Sequence, residues 1–169
     1  MITTPLAVWT GAALLLCAST LVHAAPPPSS GAVGEQLKVN SRDGTVLVQI
    51  TLQNRSAHPV YVQKSLASAT ELTGRLFDIV DTASGKSIPY IGMMIKRGPL
   101  TAKDYLTLPP HSSHSHTIDI THSYAFAAGP HHYRLSHAGD YLSDLAALEA
   151  ASPIPPASAE FSHTAPPQE

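Results

Sequence analysis

The stretch "TVLVQITLQ", Thr45–Gln53, constrains this chain more than any other, because its apolar residues fall on every second position. Val46, Val48, Ile50 and Leu52 share one face, and Gln49, Thr51 and Gln53 share the other. Successive side chains of a strand point to opposite faces, so this period is that of a strand buried on one side. A helix would scatter the same residues around its circumference. The run therefore demands a second layer to cover its apolar face.

Shorter runs repeat the pattern. "HPVYVQK" aligns Val60 with Val62, "RLFDIVD" aligns Phe77 with Ile79, and "HSHTIDIT" aligns Ile118 with Ile120. "DYLTL", "HHYRLSH" and "ASAEFSH" complete the set, and "RDG" and "TASGK" supply turns. Short strands at near-regular spacing, divided by Gly and Pro, predict an all-β fold, an antiparallel Ig-like β-sandwich. "YLSDLAALEAA", residues 141–151, is the one stretch with helical character, since Leu142, Leu145 and Leu148 stand three apart. "SYAF", Ser123–Phe126, is expected to form one helical turn at a corner of the sandwich.

The ends read differently. Residues 1–24 carry an apolar core from Leu6 to Leu21 and a Val-His-Ala end, which predicts a signal peptide cleaved after Ala24. The protein is then secreted or periplasmic, with no stable membrane insertion after cleavage. Residues 25–33 form a Pro/Ser-rich linker, 34–163 the sandwich domain and 164–169 a flexible tail. The only cysteine, Cys17, lies in the apolar leader. The mature domain has no disulfide and no thiolate nucleophile, so its apolar core must supply its stability in a chain that is 43% apolar over its full length. The formal net charge is −2, with charges sparse and mixed in sign, and no basic stripe with interleaved aromatics marks a nucleic-acid partner.

Catalytic patterns are absent. There is no His-Glu-x-x-His, no Gly-x-Ser-x-Gly and no cysteine nucleophile, so no catalytic residue is assigned and the protein is expected not to be an enzyme. The sequence holds ten histidines, and "HSSHSH" sets His111, His114 and His116 close together. On a strand His114 and His116 face the same way, a geometry that can chelate Zn or Cu through two imidazoles. They also share the parity of Ile118 and Ile120, so they can equally cap the open end of the core. "NRS", Asn54–Ser56, is a glycosylation sequon, meaningful only in a eukaryotic host. In "GMMIKRGPLTAKDY", Thr101 can cap a single turn through Asp104. Met93, Met94, Lys96, Arg97, Lys103, Asp104 and Tyr105 are the candidate partner-binding residues, adaptable thioethers beside cations. The plainer alternative is an inter-strand loop folded over one edge of the sandwich.

The ordered set Gly85, Pro89-Tyr90-x-Gly92, Lys96-Arg97, Pro99-x-Thr101-Ala102-x-Asp104-Tyr105 and Leu108-Pro109, continued by Asp119-Ile120 and Tyr124, resembles a known region. It is similar to the amino-terminal, propeptide-like Ig-like domain of the deuterolysin-like peptidyl-Lys metalloendopeptidases, the aspzincins, over about Glu35 to His137. The chain lacks that family's His-Glu-x-x-His helix and downstream Asp ligand, so no catalytic residue carries over. It has Pro109-Pro110-His111 where a Gly-containing turn is usual, and His131 where a Tyr is expected. The resemblance implies an exported inhibitor or folding partner of a deuterolysin-like lysine-specific metallopeptidase, with Lys96, or secondly Lys103, offered to an anionic pocket. The readings set beside it are a periplasmic Zn- or Cu-binding protein using the histidine cluster, and a structural or adhesion-like sandwich module.

Overall fold

A computed structural model describes residues 31–167. The leader, most of the expected linker and residues 168–169 of the expected tail lie outside the described residues. The described part is an all-β sandwich built from antiparallel sheets. One sheet has the order β1-β2-β6, from Val33–Arg42, Thr45–Asn54 and Ser113–Asp119. A second has the order β10-β7-β4, from Ala157–Ala165, Gly129–His137 and Asp78–Asp81. The third, β5-β3-β8-β9, joins Tyr105–Leu108, Val60–Gln63, Asp140–Leu142 and Ser152–Pro153.

The pattern of β2 is realised in full. Val46, Val48, Ile50 and Leu52 are buried, as are Val60, Val62, Phe77, Ile79, Ile118 and Ile120. Every apolar pair set out from the alternation therefore turns inward. β1 is a strand that the linker boundary at residue 33 partly concealed, for Val33 is fully buried. It pairs with β2 through a two-residue turn, Asp43-Gly44, between the partners Arg42 and Thr45. Both turn residues have positive φ, 52° and 77°, the backbone twist that a tight hairpin requires. β10 likewise extends to Ala165, past the domain end drawn at residue 163.

The helix expected over residues 141–151 is absent. Tyr141 and Leu142 instead pair with Val62 and Tyr61 of β3, and Tyr141 also with Ser152. The Asp144 carboxylate accepts the Ala146 N–H at 2.9 Å, and turns follow through Ala147 and Ala150. Of the three leucines only Leu142 is buried. Strand pairing at one end and a local Asp turn outcompete a short, weakly amphipathic helix. Among the described residues the one short α-helix lies elsewhere, at Lys64–Ala67 (α1). Ser123–Phe126 is not helical either, because Tyr124 forms a β-bridge with Tyr90.

Buried polar groups join the layers. The Tyr124 hydroxyl donates to the Phe77 carbonyl at 2.8 Å and accepts the Phe77 N–H at 3.0 Å. Burial pushes its pKa up to about 12. Glu35 of β1 holds Nδ1 of His137 of β7 at 2.9 Å, both side chains nearly sealed from solvent. Asn54, fully buried, uses its amide nitrogen on the carbonyls of His58, Leu108 and Pro109, and its oxygen takes the N–H and hydroxyl of Ser56. The asparagine of the sequon is therefore a core residue.

Two measurements test these ties. Tyr124→Phe leaves the Phe77 N–H and C=O without their buried partner, and chemical denaturation should show a loss of about 2 kcal/mol. Asp81 accepts the Ser84 N–H at 2.7 Å, the Ser84 hydroxyl at 2.8 Å and Nδ1 of His131 at 2.8 Å. The Ser84 backbone N–H, then the Ser84 hydroxyl, then His131 hold its pKa down from 3.8 to about 2. A carboxylate held below its unfolded value stabilises the fold above that value. The contribution is complete above about pH 4 and vanishes as pH falls through 2. Asp81→Asn should therefore lower the melting temperature at pH 7, with the gap to wild type closing as the pH approaches 2.

Candidate functional site

The surface that departs most from an ordinary soluble face is the connection from Tyr90 to Thr101. Its apolar side chains point outward: Ile91 is 60% exposed, Met93 59%, Met94 78% and Ile95 50%. Leu100 is exposed as well. Lys96 and Arg97 sit between them and are also exposed. Contiguous exposed apolar side chains on a monomer mark interaction surfaces more often than scattered ones do.

The loop has no regular hydrogen-bond ladder, yet it is tied to the core at several points. The Ile91 and Gly92 N–H groups donate to the Ser123 carbonyl at 2.9 and 3.2 Å. The Tyr90 hydroxyl donates to the Met93 carbonyl at 2.6 Å, and its ring meets the Tyr124 ring edge-to-face at 5.4 Å between centroids. Gly92 lies against that ring, where a Cβ would come within 2.8 Å of the Tyr90 hydroxyl oxygen. The glycine is thus needed for close approach. Farther along, the Ile95 N–H donates to the Thr73 carbonyl at 3.0 Å, and the Arg97 guanidinium donates to the Thr73 hydroxyl.

At its far end the loop closes as the sequence indicates. Ala102–Asp104 is a single 3-10 turn, and Asp104 accepts both the N–H and the hydroxyl of Thr101 at 2.8 Å. Those two bonds, the backbone one foremost, lower the Asp104 pKa. Asp104 is therefore engaged in capping. Tyr105 is a correction, since it is buried at the start of β5 and cannot present a face to a partner. Lys103 is exposed, and its carbonyl accepts the Lys64 ammonium at 2.7 Å. Of the seven candidate residues, Met93, Met94, Lys96 and Arg97 form one exposed patch.

Beneath the loop runs a groove of about 320 Å³. Leu72, Leu76, Ile95 and Leu100 give it apolar walls, and Arg75 and Arg97 also line it. Sequence reasoning missed the Leu72–Leu76 wall because "ELTGRL" has neither strand nor helix period. The only signal was Gly74 beside Arg75.

The histidine cluster does not assemble. His114 and His116 do share a face of β6, opposite Leu52 and Ile50 of β2. Nε2 of His114 donates to the Ala67 carbonyl at 2.6 Å, and Nε2 of His116 to the Ala69 carbonyl. Both rings thus pin the end of α1 and the residues after it over the core. His111 sits in the turn before β6, at φ 52°. Among the described residues no group of three or more His, Cys, Asp or Glu side chains is placed to hold a metal ion. The three-histidine chelate is corrected accordingly. Zn²⁺ titration should give the same weak thermal response for wild type and for the protein carrying His114→Ala with His116→Ala. The double variant should itself melt lower, having lost two hydrogen bonds to carbonyls.

No family model matches the chain, and no curated protein matches it. Among solved structures it is similar to one described as the X-ray structure of Northeast Structural Genomics Consortium target SoR45. The identity is 14% and the TM-score 0.39, over 80% of this chain and 88% of that one. That likeness is too distant to bear on function.

Proposed function

We propose that this protein is an exported, non-catalytic binding domain that engages a partner protein through the Tyr90–Thr101 loop. The observation that carries the reading is the outward-facing set Ile91, Met93, Met94 and Ile95 around Lys96 and Arg97, held by the Tyr90 and Thr73 anchors. Apolar side chains exposed at this level are costly to keep in water unless something covers them. Methionine adapts its shape to a partner, and a loop fixed before binding loses less entropy on docking.

The resemblance to the amino-terminal domain of deuterolysin-like metalloendopeptidases makes a lysine-specific metallopeptidase the proposed partner, with this protein its inhibitor or folding partner. A pocket that selects lysine is anionic and accepts an ammonium. Lys96 stands on the exposed part of the loop, and its neighbours Ile95 and Arg97 are tied to Thr73. A cation presented on a held backbone can enter such a pocket while the peptide bond stays out of attacking geometry.

Mature protein, residues 25–169, titrated into an active lysine-specific metallopeptidase of that family should give saturable inhibition with the titrant intact. Lys96→Ala should weaken inhibition by about tenfold or more, the scale of one desolvated charge pair. Undiminished inhibition by Lys96→Ala would remove Lys96 from the mechanism. Digestion of wild type without inhibition would remove the peptidase as partner.

A further inference from the structure

Three features outside the loop crest hold chemistry not yet used. They are the buried Glu35–His137 pair, the exposed Ser162–His132 pair at 2.9 Å on β10 and β7, and the groove beneath the loop. The first is buried between sheets, and the second borders a shallow groove of about 190 Å³ in which the Ser162–His132 pair has no third group to orient it. The groove differs, because its walls combine apolar side chains with two guanidinium groups and no carboxylate lines it.

We infer that this groove is a second binding subsite, and that it takes an extended segment of a partner protein presenting a large apolar side chain next to a carboxylate. The inference rests on the loop being a partner-binding surface, and adds which chemistry that partner offers at its base. The volume of about 320 Å³ accommodates a side chain or two rather than a cofactor. Leu72, Leu76, Ile95 and Leu100 provide the apolar seat. The Arg97 guanidinium is aimed by its bond to the Thr73 hydroxyl, which leaves further N–H groups of its planar fork for a carboxylate. Arg75 shares its charge with Asp78 on the rim. At Gly74 a Cβ would meet nothing within 4 Å, so the backbone there lies open to an approaching chain.

Charge supports an acidic occupant. Lys64, Arg75, Lys96, Arg97 and Lys103, half of the chain's ten lysines and arginines, stand on the segments that form or flank the groove. The nearby acids are largely engaged. Asp78 is paired with Arg75, Asp104 caps Thr101, and Asp140 takes the Gln63 amide at 3.4 Å. Glu71 is the remaining acid on these segments. Counted over these segments, five cations face four carboxylates, so the bias toward an acidic occupant comes from the groove lining itself, which holds Arg75 and Arg97 and no carboxylate.

The test is selection of a displayed random octapeptide library on the wild-type protein, counter-selected on Arg97→Glu and on Leu100→Asp. Both substituted residues are exposed, and the melting temperature of each variant beside wild type separates a change in the groove from loss of the Arg97–Thr73 anchor. Enriched peptides should carry a large apolar residue adjacent to Asp or Glu. The best synthetic peptide should bind Arg97→Glu at least tenfold more weakly and lose affinity as salt is raised. Lys86→Ala, an exposed cation outside the groove lining, should leave that affinity unchanged. No enrichment over the counter-selected variants, or enrichment of peptides without acids, would overturn the subsite. Peptide binding without peptidase inhibition would refute the proposed partner and leave the groove standing. Inhibition without peptide enrichment would do the reverse.

Discussion

The candidate surface depends on one phenol. Tyr124 places its hydroxyl where both polar groups of the Phe77 backbone can use it. That exchange fixes the chain entering β4 against the chain leaving β6. The same ring then offers its edge or face to Tyr90, and Tyr90 holds Met93 by its carbonyl. A path of direct contacts thus runs from the buried backbone at Phe77 to the exposed methionines. The aromatic cluster continues inward through Phe126, Tyr133 and Phe161. Without such anchorage a loop of this composition would sample collapsed conformations that hide its apolar side chains.

What was legible in the sequence was what period two encodes. β2, β3, β4 and β6 follow from alternation, and the faces assigned to their apolar residues are the buried ones. The cap of Thr101 on Asp104 was legible too, because capping is set by residues three apart. β1 was harder to see. Its face toward the core runs from Val33 to Glu35, whose carboxylate is met by Nδ1 of His137, and that partner lies far along the chain. A buried acid reads as a surface residue until its counter-group is known. The failed helix at 141–151 has the opposite cause: its leucine spacing was real, but pairing with β3 decided the outcome.

The site was legible in part for the same reason. Local sequence pointed to Met93, Met94, Lys96 and Arg97, since apolar and cationic residues between glycines stand out. It could not show that Tyr105 turns inward, because a single aromatic in a short strand fits either face. Nor could it show the groove, whose walls come from residues 63–76 and 95–100 and meet only through tertiary contacts such as Ile95 with Thr73. The histidines illustrate the limit of composition. His114 and His116 were correctly placed on one face, but the carbonyls of Ala67 at the end of α1 and of Ala69 just after it claim their Nε2 protons.

The asparagine at the heart of the Asn54 network has a practical corollary for making this protein. Its amide nitrogen, the atom to which a glycan would be joined, is already turned toward three carbonyls inside the fold. A eukaryotic secretory host attaches sugar to such a triplet while the nascent chain is still extended. Any molecule so modified would carry a bulky, water-seeking group at a position that must be dry, and could not close β2 against the β5–β6 turn. Recombinant material from that route would divide into a folded, unglycosylated fraction and a glycosylated fraction retained by quality control. Bacterial export avoids the division altogether.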